Sequence, residues 1–356
     1  MSTQRVSLVR RFAMLAYSLS FLGSFLFFWW PLLVFDHFYD MPWLIPFNTF
    51  IALPLLDAVL GEYRYNWCVE EHKWLKQQRW LRALPLLAVP LFFVYQWLMA
   101  GYFLQAEAWY QKVGWVLTAG IAGGVMAINI GHELIHRRSK LEQRAGGLLL
   151  ASVAYGSFKV EHIYGHHTWV ATPKDMTTAP KGMTVYRFWW RALTHTPVKA
   201  AQIARERAHK QGRKVHELWL LYGISAVCLV AYIVALGVQV AGFWIAHCLV
   251  AILLLETVNY IEHYGLLRQQ KDAGKYEPIT HHHSWNSSRL LTNIVLFNLQ
   301  RHSDHHAFAS RNYPMLRHFD DSPQMPQGYA TMILMSLLPT LWFNVMNRRL
   351  DSLSAP

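Results

Sequence analysis

The sequence predicts an all-α integral membrane protein with six transmembrane helices, a histidine-rich face and a C-terminal interfacial helix. Three observations carry that expectation. Of 356 residues, 53% are hydrophobic and only 15% charged, whereas soluble domains carry about 25% charged residues. Sixteen Trp, 17 Tyr and 19 Phe supply amphipathic rings of the kind that settle at membrane interfaces. Six stretches approach the about 20 predominantly apolar residues that a helical span requires.

The first stretch covers roughly residues 12 to 35 and follows Arg5, Arg10 and Arg11. It lacks a convincing small-residue cleavage site, so it reads as an uncleaved first span and not as a signal peptide. The others cover roughly 43 to 61, 80 to 104, 113 to 131, 218 to 237 and 240 to 259. They pair into three hairpins. The links within pairs are residues 36 to 42 (DHFYDMP), 105 to 112 (QAEAWYQK) and the two or so after Leu236, and together they hold one Lys and no Arg. The remaining connections carry the positive charge, including Lys73, Lys76, Arg79, Arg137 and Arg138. By the positive-inside rule both termini and these loops are cytoplasmic. Asp57 and Asn129, costly in hydrocarbon, either line a cavity or make packing hydrogen bonds. Residues 327 to 346 are apolar but interrupted by Pro339 and followed by Arg348 and Arg349, the pattern of an interfacial or re-entrant helix. The chain reads as one membrane-embedded domain over 1–356, with cytoplasmic segments 132–217 and 260–326.

A net charge of +12 admits nucleic acid, anionic lipid or an acidic protein as partner. The Lys and Arg lie beside apolar segments with no basic, aromatic-interleaved motif, which excludes nucleic acid. Lys159, Lys174, Lys181, Arg187 and Arg191 are candidates for steering an acidic partner. Cys68, Cys228 and Cys248 stand at unrelated spacings. They encode neither a disulfide framework nor an iron-sulfur or rubredoxin-type site, so any electron carrier is a separate protein.

Nine of 19 histidines fall into four groups that all lie on one side of the predicted membrane. His132-Glu-Leu-Ile-His136 leaves the fourth span, and residues four apart share a helix face, so both imidazoles reach one centre. His162-Ile-Tyr-Gly-His166-His167 repeats that pair and adds a neighbour about 100° round the helix, as a second metal requires. His302-Ser-Asp-His305-His306 offers spacings of three and four. His263 stands at the mouth of the sixth span. Imidazole suits zinc, copper, nickel and iron, but nine rings exceed what one ion holds, and structural zinc closes at four ligands. A redox pair activating O₂ fits best. Glu133, Glu161, Glu262 and Asp304 adjoin these histidines either as direct ligands or as acceptors for the outer ring N–H. His132-Glu-Leu-Ile-His136 also matches the zinc-protease pattern H-E-x-x-H, a reading that leaves six clustered histidines without a role. A non-catalytic metal-binding membrane protein is the other alternative.

On LPLLDAVLGE (53 to 62), GHELIHRR (131 to 138), EHIYGHHTWVATP (161 to 173), NYIEHYGLLRQ (259 to 269), HHSWNS (282 to 287) and LQRHSDHH (299 to 306), the chain resembles the membrane-bound alkane 1-monooxygenase family, within the histidine-box hydroxylases and desaturases. The resemblance implies terminal hydroxylation of alkanes with O₂, two non-haem iron ions, and electrons from rubredoxin and its reductase at the bacterial inner membrane. It maps the family's ligands onto all nine histidines. His281, His282 and His283 complicate the set; His263 is taken as the ninth ligand, with His282 and His283 as supporting residues. Methyl hydroxylases of alkyl-aromatics such as xylene and fatty-acyl hydroxylases or desaturases share the scaffold.

Overall fold

The computed structural model describes residues 7–271 and 274–353; Arg5 lies outside them. The described residues are helical, with only the isolated bridges Glu62–Arg289, Gln270–Tyr276 and Asn286–Gln324 between extended segments.

Among the described residues, four helices are long and apolar enough to cross a membrane: Arg79–Gln105, Trp109–Ile135, Glu217–Leu236 and Val240–Glu262. Helices Leu8–Ser20 and Gly23–Val34 meet at 54° and make a fifth span if taken together. Of the six transmembrane helices expected, the described residues thus show four, or five with the bent pair. The stretch expected at 43 to 61 is the shorter helix Leu44–Leu60. At about 1.5 Å per residue it reaches about 25 Å, against a hydrocarbon core of about 30 Å. A π-turn over Asn48–Ala52 interrupts it, and Gly61, with φ of 76°, ends it in the left-handed region that glycine adopts without strain.

Asp57 on this short helix is buried and turned inward. Its carboxylate accepts the backbone N–H groups of Leu291 and Thr292 and the Thr292 hydroxyl. It thus satisfies free N–H groups at the start of helix Leu290–Val295 and ties that helix to the bundle. Asn129 likewise bonds across the interior, donating to the Leu296 carbonyl at 2.9 Å.

Helices Trp109–Ile135 and Val240–Glu262 form the centre of the bundle. A Cβ on Gly120 would stand 2.4 Å from Val250 Cγ1, so only hydrogen at that position permits this approach. The close crossing matters because His132 and His263 lie at the ends of these two helices. Helices Lys140–Ser152, Gly156–Glu161 and the 26-residue Val185–Lys210 pack through Ala151, Val160, Ala200 and Ala204 against Leu218 of helix Glu217–Leu236. The apolar stretch near the C-terminus divides at Pro339 into Tyr329–Ser336 and Pro339–Leu353. Trp342 and Met346 are fully buried there, with the Trp342 ring 5.2 Å from that of Tyr260.

Candidate metal centre

A π-turn over Gly123–Asn129 lies just ahead of the first histidine box, where the extra residue in the turn re-aims the side chains that follow. His132 and His136 both point into the bundle, ring centroids 4.9 Å apart. Between them Glu133 takes another direction. It pairs with Arg137 at 2.5 Å and accepts the Tyr313 N–H at 3.1 Å, and so fastens the box to the loop after His306.

The second box is itself a π-turn, His162–His166, between helix Gly156–Glu161 and the short turn His167–Trp169. An α-helix would align His162 with His166. With hydrogen bonds closing over five residues, the π-turn aligns His162 with His167, and their Nε2 atoms stand 3.0 Å apart. His166 is turned toward the other group. The expected division of this box is therefore corrected: His167, not His166, shares a centre with His162. Gly165 leaves room for Glu161 beneath the turn, since a Cβ there would stand 2.6 Å from Glu161 Oε1 and force that side chain to move.

The third box is the helix His302–Ala307. Its i, i+4 pair, His302 and His306, has Nε2 atoms 2.8 Å apart, while His305 Nε2 faces His132 Nε2 at 3.0 Å. His263 follows the last residue of helix Val240–Glu262 and reaches His302 at 3.1 Å.

Nine ring nitrogens thus converge in two groups. His132, His136, His162, His167 and His305 form one; His166, His263, His302 and His306 form the other; within each, ligand atoms lie within 4.8 Å of one another. The groups adjoin, with the rings of His167 and His306 4.5 Å apart. Their donor chemistry fits metal ions. His166 engages Asp175 and Thr177 through Nδ1, at 2.9 and 2.7 Å, and His263 turns Nδ1 to Ser284 at 3.4 Å. A neutral ring protonated at Nδ1 turns the lone pair of Nε2 inward. Burial, reinforced by the neighbouring rings, holds His136, His162 and His167 well below the ordinary histidine range, and burial with His166 lowers His305 to about 3. Neutral imidazole is the form that binds metal. His166 differs: burial is the largest single influence and lowers it, but the charge and hydrogen bond of Asp175, with Glu161 and Glu256, together raise it. Asp175 is itself held low: burial raises it most, but His166, the Thr178 hydroxyl and His263 together outweigh that cost.

The four carboxylates singled out by adjacency take four different positions. Glu262 is the one that reaches a histidine: its Oε2 lies 3.1 Å from His302 Nε2, and its Oε1 accepts the Tyr329 hydroxyl at 2.7 Å. It approaches the inward nitrogen, not the outer one. Asp304 is held by Arg311 and Arg317 and locks the loop after the box. Glu133 is engaged as above. Glu161 packs under Gly165, its carboxyl raised by burial and by the Asp175 charge.

Asp175 is the carboxylate that sequence adjacency missed. It lies nine residues beyond His166 in a polar loop, held by the Thr177 N–H and hydroxyl and the Thr178 hydroxyl, and only its acid-before-threonines pattern marked it. His282 and His283 stand outside both groups. His283 bonds Glu277 and Thr280, while its backbone serves His263; His282 lies with His281 against Asp321. Of the cations considered for an acidic partner, Lys159 pairs with Glu217, Lys181 with Asp351, Arg191 donates to the Thr178 carbonyl, and Lys174 covers the Trp169 ring.

An almost wholly apolar cavity lies between the helices beside the second group. Phe50, Gly124, Val258, Leu299, Tyr329 and Ile333 are among its lining residues. Its inner wall is connected to the histidines, because Tyr329 bonds Glu262 and Glu262 faces His302.

Residues 107–335 match the fatty acid desaturase family. The chain is 43% identical to alkane 1-monooxygenase 2 of Pseudomonas aeruginosa over 92% of its own length and 88% of that protein. It is 44% identical to alkane 1-monooxygenase 1 of the same organism, over 83% and 79%. A more distant relative is the xylene/toluene monooxygenase hydroxylase component of Pseudomonas putida, 29% identical over 65% and 63%.

Proposed function

Because the chain belongs to the membrane-bound alkane 1-monooxygenase family, within the fatty acid desaturases, we propose that it hydroxylates the terminal carbon of n-alkanes at two non-haem iron ions. The observation that carries this reading is the junction of two all-histidine groups with an apolar cavity through Tyr329, Glu262 and His302. One atom of O₂ enters the new C–O bond and the other leaves as water. Two protons complete the balance, with two electrons from rubredoxin, itself reduced by its reductase.

Iron, when bound, supplies the O₂ and one-electron chemistry that no side chain offers. His132, His136, His162, His167 and His305 would hold one ion, and His166, His263, His302 and His306 the other. Asp175 fixes the tautomer of His166, as an outer partner of a ligating histidine does. Glu262, oriented by the Tyr329 hydroxyl, stands where it can join the second set. An alkane offers no polar handle, so the cavity must hold it by apolar burial, worth about 0.8 kcal/mol per CH₂. The same walls exclude water from the reacting carbon.

We place the histidines and both termini on the cytoplasmic side of a bacterial inner membrane, with 1–356 as a single domain. The charge on the connections supports that orientation. Six crossings follow if the bilayer thins around the short helix Leu44–Leu60. The test is expression in an alkane-negative bacterium with rubredoxin and its reductase, supplied with ¹⁸O₂ and octane, hexadecane, xylene or a fatty-acid ester. Labelled 1-octanol or 1-hexadecanol is expected. Product from xylene alone, or product oxygen drawn from solvent, would overturn the reading.

A further inference from the structure

Beside the first box the surface opens into a cavity lined by Lys76, Arg82, Arg137, Arg138, Ser310 and Asn312. Nothing in the proposed hydroxylation uses it. Its position is informative: Lys76 and Arg82 flank the start of the span Arg79–Gln105, while Arg137 and Arg138 follow the end of the neighbouring span Trp109–Ile135. Four cations therefore meet at the level where the apolar length of this hairpin gives way to polar chain. That is the depth of lipid headgroups.

The charges do not cancel. Glu142 pairs with Arg82 at 2.9 Å and Glu133 with Arg137 at 2.5 Å, which leaves the exposed Lys76 and Arg138 without an ion-pair partner among the described residues. Arg137 is only 6% exposed; its Nη2 is engaged by Glu133, and its Nε has no hydrogen-bond partner among the described residues. Guanidinium geometry suits phosphate oxygens, and the Arg138 guanidinium is exposed at this cavity. Ser310 and Asn312 add neutral donors to the same wall.

We propose that this cavity binds the phosphate of an anionic phospholipid headgroup, with the exposed Lys76 and Arg138 drawing it in and Ser310 and Asn312 lining its place. An acidic protein surface is disfavoured as occupant because the four cations meet where the apolar length of the hairpin ends, at the depth of lipid headgroups. Arg137 directly follows His136 and grips Glu133, so a bound headgroup braces the first histidine box.

The test uses the full-length protein in nanodiscs of phosphatidylcholine, alone or mixed with phosphatidylglycerol, and counts retained phosphatidylglycerol after detergent exchange by native mass spectrometry. The wild type is expected to keep one such lipid. Lys76→Gln with Arg138→Gln, both exposed positions, should weaken retention by about fivefold per charge removed, while Lys76→Arg with Arg138→Lys should retain it. Millimolar inorganic phosphate should not displace the lipid; displacement would identify a free-anion site and overturn the proposal. Equal retention by wild type and the Gln pair would overturn it too, as would a Gln pair that keeps the lipid but loses binding to an acidic carrier protein.

Discussion

His162 and His167, five residues apart, bring their Nε2 atoms to 3.0 Å in one group, while His166 between them serves the other. This exchange is the work of a single π-turn, and it makes the turn as important as the ligands it carries. Gly165→Ala places a Cβ 2.6 Å from Glu161 Oε1 and 3.2 Å from Ile203 Cδ1. Relieving that overlap shifts the turn and misdirects His166 and His167. We expect at least about tenfold loss of turnover with a stability cost of about 1–3 kcal/mol. Steady-state rates and metal content measured together check this, and an Ala variant with full metal and full rate would contradict it.

Asp175→Asn removes the charge that holds the Nδ1 proton of His166. Loss of an outer partner of this kind costs about 10- to 100-fold in metal affinity. The four-histidine group should weaken while the five-histidine group keeps its ion. A chelator titration that removes both ions equally from the variant would argue against a selective role.

Acid should release metal and destabilise the metal-free protein together. His136, His162, His167 and His305 titrate in the folded chain below the ordinary value of 6.5, so between those values the unfolded chain binds more protons. Their stability is complete above about pH 6.5 and is lost as pH falls below it. His166, raised by Asp175, has the opposite sign and contributes only below its folded value; four groups outweigh one. The thermal midpoint of the metal-free protein should fall between about pH 7 and pH 5. A flat profile would show that these rings are not buried neutral.

Cavity length should set chain-length preference. Each additional CH₂ that finds the apolar wall gains about 0.8 kcal/mol, so kcat/KM should rise about fourfold per carbon until the wall ends. Val258→Trp, at a wall position 8% exposed, should shorten that series and spare the shortest alkanes. An unchanged series would place the substrate elsewhere.

Much of the site was legible because histidine clustering is a local signal. The nine rings stand four and five to a group, and box one behaves as helical spacing requires. The partition of His166 and His167 was not legible, since periodicity assumes 3.6 residues per turn and nothing in HIYGHH announces a π-turn. Adjacency misled for Glu133 and Asp304: a residue beside a ligand on a helix points away from it, and both meet arginines or backbone instead. Asp175 reaches His166 only because a loop folds back. Hydropathy found the four long spans but overestimated the stretch at 43 to 61, where Gly61 and a π-turn leave a short helix.

The most direct measurement is the metal content of protein purified from iron-supplied cells, beside the His306→Ala variant. Two iron ions per chain are expected in the wild type, with the variant retaining the ion of the five-histidine group. A single ion per chain, or zinc in place of iron in an active preparation, would contradict a di-iron centre built from these nine histidines.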